Sequence, residues 1–169
     1  MNSIIKNYEN IKSLVNNSNV KIVAVSKTFS LEHVRPLLEH GHLHFGENKV
    51  QEAQSKWSQI KLDSPNINLH MIGKLQSNKA KEAVKLFDYI HSLDNQKLAD
   101  RLAKQENFIN KKLKYFIQVN IANEKQKSGI EIQSLDDFFY YCKRELKINI
   151  IGLMAIPPKD SNEDIYFKK

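Results

Sequence analysis

The sequence predicts an α/β fold built from parallel βα units. Apolar spacing alternates in steady order between a strand-like and a helix-like period, and no Gly-, Ser- or Pro-rich linker interrupts it. Polar side chains also gather just after each apolar run, where parallel sheets carry their sites. A chain of 169 residues with 41% hydrophobic content suits one core, so residues 1–169 are expected to form a single domain. Alternation alone permits either a doubly wound open sheet or a (β/α)8 barrel. No GxGxxG follows the first strand, and GKLQSNK at 73–79 lacks the upstream glycine of a P-loop, so neither phosphate fingerprint applies. A complete barrel needs about 250 residues. Only about six of eight units are expected here.

The first segment reads as a helix, with Ile4, Tyr8, Ile11 and Val15 on one stripe and Asn16 to Asn19 ending it. A strand follows over 20–26. The next helix carries Val34, Leu37 and Leu38 and stops at Gly41; Pro36 fits only a first turn, which predicts a start near His33 or Val34. A strand over 42–46 precedes a helix with Val50, Ala53, Trp57 and Ile60 on one face. A strand over 69–73 precedes a helix with Ala80, Ala83, Val84 and Phe87. The strand over 89–93 leads to Asp94 as the expected N-cap of a helix bearing Leu98 and Leu102. After a strand over 114–121, Ser134 and Asp137 show capping-box spacing ahead of Leu135, Phe138, Phe139, Cys142 and Leu146 at helical period. The last strand, over 148–156, is closed by Pro157 and Pro158, and a helix start follows.

Composition narrows the function classes. The +7 net charge comes from 26 Lys and Arg residues, of which only Arg35, Arg101 and Arg144 are arginine. Lysines scattered on helix faces, without arginine forks or stacking aromatics, argue against specific nucleic-acid binding and leave an anionic small ligand compatible. No apolar run approaches a membrane span, and the N-terminus lacks a secretory layout; a cytoplasmic protein is expected. Cys142, alone, suits a reducing compartment and reads as a packed apolar residue.

The candidate site is the rim of strand ends: Ser26-Lys27-Thr28, Glu47-Asn48, Gly73 with Gln76, Ser92 with Asp94, Asn120, and Met154-Ala155. Helix capping accounts for Ser77, Asp94 and Ser134 without any ligand. Strand alternation puts Val23, Val25 and Lys27 on one side. Two readings of Lys27 stay open on these grounds: a snorkelling surface lysine, or an amine made nucleophilic by a water-poor setting that lowers its pKa. His40, His42 and His44 alternate, yet no further ligand follows at metal-site spacing, so no metal is expected.

The segments AVSKTFS (24–30), HFGENKVQEA (44–53), HMIGKLQSNKAK (70–81), IHSLD (90–94), FIQVNIANEKQKSGI (116–130) and IIGLMAIPP (150–158) resemble the pyridoxal phosphate homeostasis protein family, in order, over about residues 20–158. The resemblance implies a (β/α)8 TIM-type barrel of the alanine racemase N-terminal kind. It places pyridoxal 5'-phosphate as a Schiff base on Lys27, with Asn48, Ile72, Gly73 and Met154 lining the cofactor ring. It also implies a monomeric cofactor carrier or buffer in vitamin B6 balance, with no catalysed reaction and with pyridoxal phosphate-dependent apoenzymes as recipients. Members continue into an SMGMS-type and a VRIG-type strand that bind the phosphate; this sequence stops at Lys169, before both, and is expected to be C-terminally truncated. The competing readings are a racemase- or decarboxylase-like enzyme on the same barrel, and a truncated product that no longer binds the cofactor.

Overall fold

The computed structural model describes residues 3–15, 19–122 and 128–158. Its elements run α1 (Ser3–Leu14), β1 (Ala24–Val25), α2 (Leu31–Glu39), β2 (His44–Glu47), α3 (Val50–Asp63), β3 (Asn68–Met71), α4 (Ala80–Leu86), β4 (Tyr89–Leu93), α5 (Gln96–Ile109), β5 (Lys114–Gln118), α6 (Leu135–Tyr140) and β6 (Asn149–Met154). The six strands form one sheet in chain order, every neighbouring pair parallel. A doubly wound sheet reverses its order at a switch point, whereas a barrel adds each strand beside the last. The unbroken order selects the partial barrel.

The register sorts side chains onto two faces. Phe45, Leu69, Met71, Ile90, Tyr115 and Ile117 pack with Trp57, Leu98 and Leu102 from the helices, all nearly inaccessible to water. That strand-helix layer is the main core. Alternate positions, His44, His70, Tyr89, His91 and Phe116, face the barrel interior, where Gly46 lies between Val23 and Ile72.

Several boundaries differ from expectation for identifiable reasons. β1 pairs over only two residues, because only Ala24 and Val25 lie in register with Phe45 and Gly46. α2 starts at Leu31, where the Ser30 hydroxyl accepts from the His33 amide at 3.4 Å; Pro36 therefore lies inside the helix. It forfeits the bond its amide would give Glu32, a solvent-exposed residue, so the cost stays small. Asn95, not Asp94, caps α5 by accepting from the Leu98 amide at 2.9 Å. Ser134 makes no side-chain cap bond and instead ends a 3-10 turn, Ile132–Ser134. α6 then opens into a π-helical turn, Tyr141–Glu145, which buries Cys142; burial pushes that thiol's pKa up to about 12. Residues 16–18 of the expected first stop signal and the helix start after residue 158 lie outside the described residues.

Candidate functional site

The tip of β1 is held from its helix side. Ser26 donates its amide to Gly46 O at 3.0 Å and its hydroxyl to Glu47 Oε1 at 2.8 Å. The Lys56 ammonium, from α3, donates to both Ser26 O at 2.7 Å and Glu47 Oε1 at 2.8 Å. Trp57 Nε1 adds a third bond to the same carboxylate oxygen at 3.0 Å. Glu47 is fully buried, so this paired and hydrogen-bonded arrangement is what makes its charge tolerable. Ser26 and Glu47, both expected at the rim, thus turn toward α3 and serve as anchors.

Lys27 follows directly. The Phe29 amide closes a tight turn on Ser26 O at 3.2 Å, with Thr28 at φ +67°, a left-handed conformation that costs a β-branched residue about 1–2 kcal/mol. Lys27 is exposed, which fits the surface reading of this lysine and corrects the water-poor one. The physical reason lies in its strand: among the described residues β1 is an edge strand, and Val25, on the same face, is itself 48% exposed.

β2 brings Asn48 to the neighbouring strand tip, two residues beyond the Val25–Gly46 pair as Lys27 is. Its Oδ1 is buried and has no hydrogen-bond partner among the described residues. Gly73 is required by Asn48: a Cβ at 73 would stand 2.3 Å from the Asn48 carbonyl oxygen and 2.7 Å from its Cα. Ile72 donates its amide to Glu47 O at 2.9 Å and turns its side chain over Gly46. Met154 ends β6 in register with Gln118, half-buried, its carbonyl accepting from the Val119 amide at 2.8 Å. Lys27, Asn48, Ile72 and Gly73 therefore gather on three adjacent strand ends, while Met154 stands at the far edge of the described sheet.

The barrel interior holds a feature that sequence reading missed. His44 Nδ1 lies 3.0 Å from His70 Nε2, and His70 Nδ1 lies 2.8 Å from His91 Nε2, so three imidazoles on β2, β3 and β4 form one hydrogen-bonded chain. Tyr89 stacks on His70 and Phe116 on His91, with ring centroids 4.2 and 4.4 Å apart. Burial, reinforced by the neighbouring rings, lowers the His70 pKa to about 3; burial lowers that of His91 to about 4. The signal was present as histidines at inward strand positions, but only strand register aligns them. The alternating histidines of the sequence go separate ways: His40 meets Glu9 at 2.8 Å, His42 bonds Tyr8 and the His44 carbonyl, and only His44 joins the chain. Among the described residues no group of three or more His, Cys, Asp or Glu is arranged to hold a metal ion, and no helix is long and apolar enough to cross a membrane.

The family model described as alanine racemase, N-terminal domain, matches residues 1–169. The chain belongs to that family. Within the alanine racemase N-terminal family it is similar to the proteins named pyridoxal phosphate homeostasis protein. That of Vibrio cholerae is 36% identical over 168 residues, covering 93% of this chain and 71% of the relative; that of Pasteurella multocida is 39% identical over 140 residues, covering 83% and 60%. Among solved structures, PipY of Synechococcus elongatus with pyridoxal phosphate bound superposes with a TM-score of 0.84 at 33% identity, covering 95% of this chain and 73% of that one. An alanine racemase of Clostridium difficile shares the fold at a TM-score of 0.74 and 14% identity, over 98% of this chain and 43% of the enzyme. The chain spans about 60% of the length of the Pasteurella and Haemophilus relatives it matches.

Proposed function

We propose that this chain binds pyridoxal 5'-phosphate through Lys27 and takes part in intracellular vitamin B6 balance, delivering the cofactor to apoenzymes and catalysing no reaction of its own. The observation that carries this reading is the Lys27 amine, accessible to solvent on a strand tip that is locked from behind by Ser26, Glu47 and Lys56. Exposure lets an aldehyde reach this side chain directly. When bound, the cofactor supplies an electrophilic aldehyde and a polar pyridine ring. The unpartnered Oδ1 of Asn48 on the neighbouring tip fits a polar ring group, Gly73 keeps Asn48 in place, and Ile72 and Met154 offer apolar contact. For the phosphate the described residues are less suited: Arg35 and Arg101 lie on helices and Arg144 in the π-helical turn, none at a strand tip.

The names of the relatives and the cofactor in the PipY structure support the same reading. Absorbance tests it. Added pyridoxal phosphate should give a visible band that borohydride abolishes and that Lys27→Ala lacks. Absence of the band in a folded wild-type chain would defeat binding by this chain, and measurable racemisation of an amino acid, with solvent deuterium entering at the α-carbon, would defeat the non-catalytic reading.

A further inference from the structure

Outside the strand-tip site, one concavity has a chemistry that nothing above uses. A cavity of about 710 Å³ opens between the segment that follows β3 and the first turns of α5. Lys74, Lys81, Lys97 and Arg101 line it, together with the amides of Gln76 and Asn78, and no carboxylate does. None of the four cations forms an ion pair among the described residues, in contrast to Lys56 and Lys61, which are matched to Glu47 and Asp88 at 2.8 Å. Four unmatched positive charges around one hollow repel each other, and an anion relieves that repulsion. The 14-residue helix α5 adds to it, since its N-terminus opens here with no acidic residue in the first turn. A second hollow, of about 500 Å³, shares Lys74, Leu75 and Gln76 with the first and reaches Asn48 and Lys79. The two make one cationic trough that runs from the rim outward.

We propose that this trough binds a small molecule carrying two or more phosphoryl groups, contacted by Lys74, Lys81, Lys97 and Arg101. The cations come from three places, the segment after β3 (Lys74), α4 (Lys81) and α5 (Lys97 and Arg101), so a single phosphoryl group would leave part of the set unmatched. The lining holds only one arginine fork and the site is a bounded hollow, which suits a compact ligand better than a nucleic-acid strand. The Gln and Asn amides add neutral donors that orient phosphoryl oxygens. None of these four contacts is a residue of the strand-tip site, so anion binding here and aldehyde binding at Lys27 are separable.

Titration calorimetry of the full chain with orthophosphate, pyrophosphate and tripolyphosphate at physiological ionic strength tests it, with amide NMR shifts as the site readout. Saturable one-to-one binding of tripolyphosphate is expected, with pyrophosphate weaker and orthophosphate weakest, and shifts confined to residues 74–81 and 95–105. The pair Lys81→Gln/Arg101→Gln should weaken tripolyphosphate at least about tenfold, whereas Lys6→Gln/Lys143→Gln, an equal change of charge elsewhere, should change it less than about twofold. Equal weakening by both pairs would reduce the effect to diffuse surface charge and overturn the site. Loss of binding in Lys27→Ala would also overturn it, by assigning the anion to the strand tips.

Discussion

His70 Nδ1 and His91 Nε2 are 2.8 Å apart, and the opposite ring nitrogen of His70 meets His44 at 3.0 Å, so each nitrogen of one buried imidazole is committed to another imidazole. In the neutral chain His70 donates through one nitrogen and accepts through the other, while His44 and His91 each take part in one of the two bonds. One added proton can be accommodated with His70 donating both ways, whereas a second sets two N–H groups against each other across one of the bonds. Lys114, which donates to the Tyr89 hydroxyl at 3.1 Å and faces the same interior, further disfavours positive charge there.

Acid should therefore destabilise the fold through these rings. Burial keeps His70 and His91 neutral down to about pH 3 and 4, while their ordinary value is 6.5. The unfolded chain thus takes up these protons first as pH falls. Their contribution is fully present above about pH 6.5 and declines as pH drops toward 4 and then 3, on the order of 4 kcal/mol for His70 alone. Urea unfolding at pH 7 and pH 4.5 should show a lower midpoint in acid, with a flatter pH dependence in His70→Gln. Identical midpoints in the wild-type chain would contradict the assignment.

Glu47→Ala should destabilise by roughly 3–5 kcal/mol, since it leaves the Lys56 ammonium without its carboxylate and removes the acceptor for Ser26 and Trp57. Glu47→Gln, which retains an acceptor oxygen, should lose less. Thermal midpoints rank the two, and a ranking in the opposite order would show that the carboxylate charge is a burden at this site.

Gly73→Ala should cost roughly 1–3 kcal/mol, because the new Cβ meets backbone atoms of Asn48 that cannot swing aside. Its distinctive mark is local: the Asn48 amide resonance should move, and cofactor absorbance should weaken. An unchanged Asn48 signal would mean that the close approach relaxes freely.

Tyr115→Phe removes the hydroxyl that donates to buried Glu106 Oε1 at 2.9 Å, although the Leu113 amide still serves that oxygen at 2.6 Å. A loss of about 1–2 kcal/mol is expected in denaturant titration. A neutral result would show the Leu113 bond alone to be sufficient.

The parallel βα order was legible in the sequence because strand and helix periods differ, whereas the choice of a barrel over a doubly wound sheet came from the family resemblance and from the unbroken strand order. Boundaries were less so. Pro36 inside α2 is tolerated through exposure of Glu32, and exposure belongs to the folded surface. Lys27, Asn48 and Gly73 were singled out from their motifs, but their geometry was not: of the two settings open for Lys27 the structure has the exposed one, because edge position depends on which strands pair. Glu47 looked like a rim group and is an anchor, since Lys56 and Trp57 lie one helix later. The imidazole chain needed register across three strands, which no single stretch of sequence contains.

Among the described residues the bonds that fix the tip of β1 belong to Ser26, whose amide meets Gly46 on β2 and whose hydroxyl and carbonyl meet Glu47 and Lys56, and none involves the side chain of residue 27. Reactivity and scaffolding are thus carried by different residues one position apart. Exchange of the lysine for a smaller neutral residue should leave a chain as well folded as its parent, so that selection at this position registers chemistry alone.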